Sequence, residues 1–375
     1  MISCGEVSGD LYAGALTEEL RVRAPSADIF GFGGPRLKGA GATLVGDFTG
    51  LTVTGLTEAV RVLPRSYAMY RRLVAAARER KPDVFVAIDF PDFNFRLMPA
   101  MRRLGVPIVY YISPQLWAWR PGRMKTMRRF VDKVLVIFPF EAPLYERAGI
   151  PVQCVGHPLV DLARSGQTRS AFLGGLGLVA DAPTVALLPG SRPNEVRRIA
   201  PGVASALSLI RDRVPGVQFL VAGAPNLSPA SFAPLVSRGA ILVHDHADDV
   251  LAAADVVITA SGTATVQAAL HERPMVVVYR VSPLTYRLGK PFVKVDTYAM
   301  PNLMAGHRIV PELIQGDFTP ERLAEEAVAL LTDGERHART REALRRVREQ
   351  LGEPGASARA AEAILEVAAK ARQVR

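Results

Sequence analysis

The sequence predicts an α/β protein built from two doubly wound, Rossmann-like domains, and three observations carry that prediction. Short apolar runs recur along the chain with helical stretches between them. Several of these runs, DVFVAI, PIVYYI and KVLVIF, are apolar at consecutive positions, as parallel strands buried on both faces require. The alternation then lapses between Gly156 and Pro183 and restarts with APTVALL. At 375 residues the chain exceeds what a single core serves, since cores stop growing at about 250–300 residues.

Taken in order, the expected strands of the first half are residues 2–4, 28–31, 84–88, 108–112, 134–138 and 152–155. The second half offers 184–188, 218–222, 240–243, 256–259 and 275–279. The glycine-rich stretch around Gly166–Thr168 and Gly174–Gly177 reads as the linker, which divides the chain into residues 1–160 and 161–355. After about Thr319 the pattern is helical to the end, broken at Gly352–Gly355. The last helix, 356–375, could stay with the second domain, cross back to the first or mediate dimerisation.

Composition narrows the class. Hydrophobic residues make up 49% and charged residues 22%, an ordinary globular balance. No apolar run approaches the roughly 18–20 residues needed to span a bilayer, and the start lacks the basic and long apolar regions of a signal peptide. The two cysteines, Cys4 and Cys154, form no metal-ligand or disulfide framework. These features suggest a reduced, cytoplasmic protein. The net charge of +10 is uneven, because residues 61–133 hold 16 basic and 5 acidic side chains. Such a field attracts nucleic acid, anionic lipid or phosphorylated substrates.

Ligands of open α/β sheets bind at the carboxyl ends of the strands, so the turns there are the ones to read. The first strand runs into Gly5-Glu6-Val7-Ser8-Gly9-Asp10, where Glu6 points toward the crevice while Ser8 and Asp10 also suit a helix cap. The third ends in Asp89-Phe90-Pro91-Asp92-Phe93-Asn94, with Asp89 the better general base and Asp92 and Asn94 open to structural roles. Ser113–Pro121 holds both tryptophans, Trp117 and Trp119, beside Arg120, which suits an aromatic acceptor pocket or a packed plug. Gly190-Ser191-Arg192 after a strand is the strongest phosphate signal, since backbone N–H groups and a bidentate arginine converge there. Ser261-Gly262-Thr263, with Gln267 one turn on, makes a second anion-binding turn. Two such turns suit a diphosphate.

Three features weigh less. His244-Asp245-His246 with Asp248 and Asp249 suits helix capping better than a metal. His157 lies at the domain junction and suits either packing or ligand contact. Val60, Leu63, Tyr67, Tyr70 and Val74 recur at helical spacing among arginines that include Arg71 and Arg72, a pattern that fits membrane-surface binding or a packed helix with a solvated basic face.

Together, GEVSGD, GFGGPRLKGAGA, IDFPDFN, YYISPQLWAWRPGR, GHPLVD, LLPGSRPNEV, ASGTATVQAAL and YAMPNLMAGHRIVPELIQ, in this order, resemble the lipid-A-disaccharide synthases. These are inverting glycosyltransferases of the GT-B architecture, with two Rossmann-like domains facing a central cleft. The resemblance implies transfer of 2,3-diacylglucosamine from its UDP derivative to 2,3-diacylglucosamine 1-phosphate, giving the β-1′,6-linked disaccharide 1-phosphate and UDP. It places the acceptor and membrane side on the first domain and the donor side on the second. It implies Asp89 as base, Glu6, Arg192 and Asn302 as further catalytic groups, and Gly190, Ser191, Arg192, Ser261, Gly262, Thr263 and Gln267 around the donor. Ser8, Asp92, Asn94, Trp117, Trp119 and His157 fall on the acceptor side, and Val60, Leu63, Tyr67, Arg71 and Arg72 at the inner-membrane surface. No metal or cofactor and no nucleic acid is expected; a homodimer is left open. A UDP-sugar 2-epimerase and a non-catalytic nucleotide-sugar or anionic-lipid binding module are the alternatives.

Overall fold

The computed structural model describes residues 1–48, 56–116, 121–283, 286–287 and 297–374. The chain divides into two compact units. One takes Met1–Pro158 and regains the C-terminal segment from Leu351; the other begins at Leu159 and runs to Gln350.

Among the described residues, the first unit holds a seven-stranded sheet in the order β3-β2-β1-β4-β5-β6-β7. Its strands are β1 (Ile2–Ser3), β2 (Phe30–Gly33), β3 (Thr43–Asp47), β4 (Phe85–Ile88), β5 (Ile108–Tyr111), β6 (Lys133–Val136) and β7 (Val152–Cys154). The second unit holds a six-stranded sheet, β10-β9-β8-β11-β12-β13, made of β8 (Thr184–Leu188), β9 (Gln218–Gly223), β10 (Ile241–His244), β11 (Val256–Ala260), β12 (Met275–Tyr279) and β13 (Glu312–Ile314). Both sheets are parallel throughout. The consecutively apolar runs are the central strands: every residue of β4, β5, β8 and β11 is buried. Helices cover both faces of the second sheet and bury two separate apolar layers, which is why its strands cannot alternate polar with apolar.

Two edge strands, β3 and β13, are absent from the sequence expectation. β3 reads Thr-Leu-Val-Gly-Asp and is largely half-exposed, while β13 has three residues, so neither offers an apolar run. The expected linker is not bare loop either. It holds helices Leu159–Leu162 and Arg169–Gly175, the second capped by the Thr168 hydroxyl, which accepts from the Ala171 N–H at 3.3 Å.

The terminal helix, Ala356–Val374, packs against the Val7–Arg23 helix. Its buried Ala360, Ala361, Ala363 and Ile364 supply the apolar face. Ion pairs Arg23–Glu362, Lys133–Glu366 and Arg372–Asp83 ring the contact. At exposed positions such pairs are worth at most about 1 kcal/mol each, so the apolar face carries the docking.

Candidate active-site turns

In each sheet the strand order reverses once near the middle, between β1 and β4 and between β8 and β11. Strands beside such a reversal send their connections to opposite faces, which opens a crevice at their carboxyl ends. The four turns flanking these two points are the ones that carry Glu6, Asp89, Gly190–Arg192 and Ser261–Thr263.

In the first unit, β1 and β4 run in register with Ser3 opposite Ala87. Glu6 is the N-cap of the Val7–Arg23 helix, with extended backbone and no side-chain bond to that helix start. Ser8 sits half-buried in the first turn. Asp10 caps a different helix: its carboxylate accepts from the N–H groups of Gly34, Arg36 and Leu37 at 2.7, 2.9 and 3.1 Å, at the start of Pro35–Gly39.

Asp89 and Phe90 are successive non-glycine residues in the left-handed region, at φ 43° and 46°. Each such residue costs on the order of 1 kcal/mol or more, so the turn needs external support. Tyr110 Oη and Asn94 Nδ2 both donate to the Asp89 carbonyl, at 2.7 and 2.8 Å. Burial, with the Asp89 charge adding to it, holds the Tyr110 phenol protonated well above its usual range and therefore a donor. Asn94 Oδ1 accepts from Ser3 Oγ at 2.7 Å, which ties the turn to β1. The Phe90 ring fills the space beside Gly5, where a Cβ would lie 2.2 Å from it. Asp89 itself is half-buried.

Three of the residues expected on the acceptor side have defined surroundings. Asn94 is fully buried and its amide is committed to Ser3 and Asp89, so that it braces the turn. His157 is also buried, packed edge-on to Tyr12 and against Phe138, with ring centroids 6.0 and 5.3 Å away. Burial lowers its pKa from 6.5 to about 3, so it is a neutral core histidine rather than a ligand contact. Asp92 is exposed and ion-paired with Arg123, whose guanidinium lies 4.9 Å from the centre of the Phe95 ring. Trp117 and Trp119 lie outside the described residues.

The basic stretch forms one helix, Leu56–Arg80. Of Val60 only the backbone is described. Leu63 and Tyr67 are 46% and 63% exposed, and Arg71 and Arg72 are exposed beside them. Tyr70 and Val74 turn instead toward the core, alongside buried Leu73 and Ala77. The apolar stripe thus divides into a packed part and an outward pair. Among the described residues no helix is long and apolar enough to cross a membrane.

In the second unit, β8 and β11 are neighbours with Thr259 opposite Leu188. Gly190 is at φ 126°, and Arg192 is the N-cap of the 21-residue helix Pro193–Arg213. Ser191 is exposed, and its carbonyl accepts from Asn226 Nδ2 at 3.0 Å. Arg192 Nη1 donates to Glu195 Oε1 at 2.9 Å. Across the reversal, Gly262 at φ 147° is the N-cap of Thr263–Leu270. Ser261 Oγ donates to the Tyr298 carbonyl at 3.0 Å, and Gln267 is half-buried one turn along that helix. The two helix starts and Arg192 lie at the same end of the sheet, a combination whose N–H groups and charge suit an anion.

Asn302 lies inside the second unit. It is 1% exposed, its Oδ1 accepts from the N–H groups of Ile309 and Val310, and its Nδ2 donates to the Val310 carbonyl and to Glu312 Oε1. Glu312 also accepts from the Tyr298 and Ala299 N–H groups. Together they fold the segment that ends against Ser261. Asp248 and Asp249 do not cap: they pair with His271 and His246, both at 2.9 Å, and Asp249 holds Ser165, Gly166 and Gln167.

Tyr110, Arg123, Glu195 and Glu312 were missed by sequence reasoning. Only Glu195 left a sign, its position three residues after Arg192 at a helix start, where such side chains meet.

The family model described as lipid-A-disaccharide synthetase matches residues 1–367. Among relatives, the lipid-A-disaccharide synthase of Myxococcus xanthus is 44% identical over 98% of this chain and 97% of its own. That of Geobacter metallireducens is 43% identical over 99% and 98%. Among solved structures, the S. aureus MnaA–UDP complex superposes with a TM-score of 0.67 at 12% identity, covering 95% of this chain and 93% of its own. The calicheamicin glycosyltransferase CalG4 gives 0.60 at 18%, covering 98% and 96%. At these identities the two structures attest the shared GT-B architecture alone. The 2-epimerase alternative rests on nothing more than that architecture, whereas the sequence matches span the whole chain: it belongs to the lipid-A-disaccharide synthase family and is a glycosyltransferase.

Proposed function

We propose that the two units divide the reaction of this family between them. The first handles the acceptor 2,3-diacylglucosamine 1-phosphate, and the second holds the UDP-linked donor. The observation that carries this division is the chemistry at the two strand-order reversals. The first unit places carboxylates, Glu6 and Asp89, on the turns after β1 and β4. The second places an arginine, two glycines and two helix starts on the turns after β8 and β11. A carboxylate suits removal of the proton from an attacking sugar hydroxyl, and N–H groups with a guanidinium suit the charge that develops on leaving UDP. Asp89 is the base, and Glu6 and Ser8 face the sugars. Arg192, Gly190 and Ser191 receive the diphosphate, while Ser261, Gly262, Thr263 and Gln267 hold phosphate and ribose.

The Leu56–Arg80 helix gives the first unit a membrane-facing side. Leu63 and Tyr67 supply exposed apolar area, and Arg71 and Arg72 a basic rim; together these suit a surface of anionic lipid. Such contact makes the protein peripheral at the inner-membrane surface, where both lipid substrates reside.

The test is direct. Purified protein incubated with UDP-diacylglucosamine and diacylglucosamine 1-phosphate is expected to yield disaccharide and UDP. Donor consumed without disaccharide would overturn the assignment. Arg71→Glu with Arg72→Glu is expected to reduce sedimentation with vesicles containing phosphatidylglycerol, and unchanged sedimentation would remove this helix as the contact.

A further inference from the structure

The Gly190 turn contains a feature that an anion site does not by itself call for, a carboxylate in its middle. Glu195 occupies the first turn of the Pro193–Arg213 helix, with its side chain 12% exposed. Its Oε1 accepts from Arg192 Nη1 at 2.9 Å. Its Cβ and Oε2 would each lie 2.8 Å from a Cβ on Gly190. The space in which the carboxylate sits therefore exists because residue 190 has no side chain. The Glu195 charge reaches Tyr279, the last residue of β12, whose phenol is pushed up mainly by burial and then by that charge. Glu195 is thus packed under the turn.

A negative charge beside a diphosphate weakens its attraction, so the carboxylate has to act in some other way. An arginine side chain left alone samples many rotamers, and fixing it costs about 2 kcal/mol of entropy. A carboxylate on one guanidinium nitrogen holds the plane in place, as partners behind metal ligands do elsewhere. We propose that Glu195 is the positioning residue of Arg192, orienting the guanidinium for the diphosphate of the nucleotide-sugar donor. This rests on the assignment of Arg192 to the donor given above.

The experiment is a double-mutant cycle with Arg192→Ala and Glu195→Ala, read as kcat and KM for the UDP-linked donor and as UDP affinity by calorimetry. Glu195→Ala is expected to lower kcat about 10- to 100-fold, as a misplaced catalytic group does, and to weaken UDP binding. Glu195→Gln keeps an acceptor at the same reach and is expected to recover most of the activity. Glu195→Asp, one methylene shorter, is expected to resemble the alanine variant. In the Arg192→Ala background, Glu195→Ala is expected to add no further loss, a result that a merely structural residue does not give. Where Glu195→Ala does not fold, the aspartate variant replaces it in the cycle. Additive losses, activity within twofold of the parent, or tighter UDP binding in the alanine and glutamine variants would overturn the proposal; the last would make Glu195 a placeholder that the diphosphate displaces. Arg192→Ala alone with normal donor use would instead refute the donor-site assignment.

Discussion

The turn after β4 and the turn after β8 each flank the strand-order reversal of their sheet, on opposite sides of it, and are built in opposite ways. At Asp89–Phe90 the chain takes two left-handed residues that are not glycine, and buried neighbours hold them there. At Gly190 the left-handed residue is a glycine, and the vacated space admits a carboxylate. Under the proposed division of roles, the difference follows from what each turn presents. A base acts through its own side chain, so residue 89 has to keep one, and the neighbours Tyr110, Asn94 and Gly5 offset the strain. A phosphate site acts through backbone N–H groups and a following arginine, so residue 190 can give up its side chain.

The largest expected effect comes from removing the charge at 89 without disturbing its backbone. Asparagine tolerates the left-handed region as aspartate does, so Asp89→Asn is expected to fold normally and lose about 10²- to 10⁴-fold in kcat. Its KM for the donor is expected to stay within about threefold, since the proposed division gives the donor to the other unit's turns. Near-normal turnover would dismiss Asp89 as base. Next comes Gly190→Ala, where one methyl group meets Glu195 at 2.8 Å in a backbone region that disfavours it. Here the donor KM is expected to rise about 10- to 100-fold through displacement of Arg192. If alanine at 190 were harmless, the contrast between the two turns would collapse.

The two buried asparagines sharpen the comparison further. Asn94 braces the Asp89 turn, while Asn302 folds the segment that meets Ser261. Each satisfies several buried groups, and removing such a partner strands them at a cost of about 1–3 kcal/mol. Asn94→Ala is therefore expected to lower both thermal stability and kcat with little change in UDP affinity, and Asn302→Ala to lower stability together with UDP affinity. Kinetic assays and calorimetry on the two variants check this division; the same profile from both would erase it.

How much of this was legible in the sequence follows the same physics. Buried parallel strands announce themselves through unbroken apolar runs, so DVFVAI and APTVALL were readable, whereas half-exposed β3 and three-residue β13 were not. Asp89 and Arg192 stood out because they lie in turns after buried strands, where ligands of open α/β sheets bind. Asn94, Asn302 and His157 share that vicinity, but nothing in their spacing tells whether a side chain faces the crevice or the interior. Their buried hydrogen bonds and ring contacts decide it. Glu312 lies ten residues from Asn302 with no local pattern joining them, which leaves only tertiary geometry to reveal the pair.

The smallest expected effect separates the units by acid. His157 is buried and neutral in the first unit, with its pKa lowered by burial from 6.5 to about 3. The unfolded chain therefore binds a proton that the folded unit refuses, and stability falls as pH drops below 6.5, down to about pH 3. At pH 5 the loss is about 2 kcal/mol from this group. In the second unit, His246 and His271 instead lie 2.9 Å from carboxylates, Asp249 and Asp248. Both tryptophans, Trp117 and Trp119, belong to the sequence of the first unit, which lets their fluorescence follow its unfolding. Denaturant midpoints measured this way are expected to fall between pH 7 and pH 5, and His157→Phe, which keeps an aromatic ring against Tyr12 and Phe138, is expected to flatten that slope whatever its absolute midpoint. An unchanged slope would mean that another group governs the acid response of the first unit.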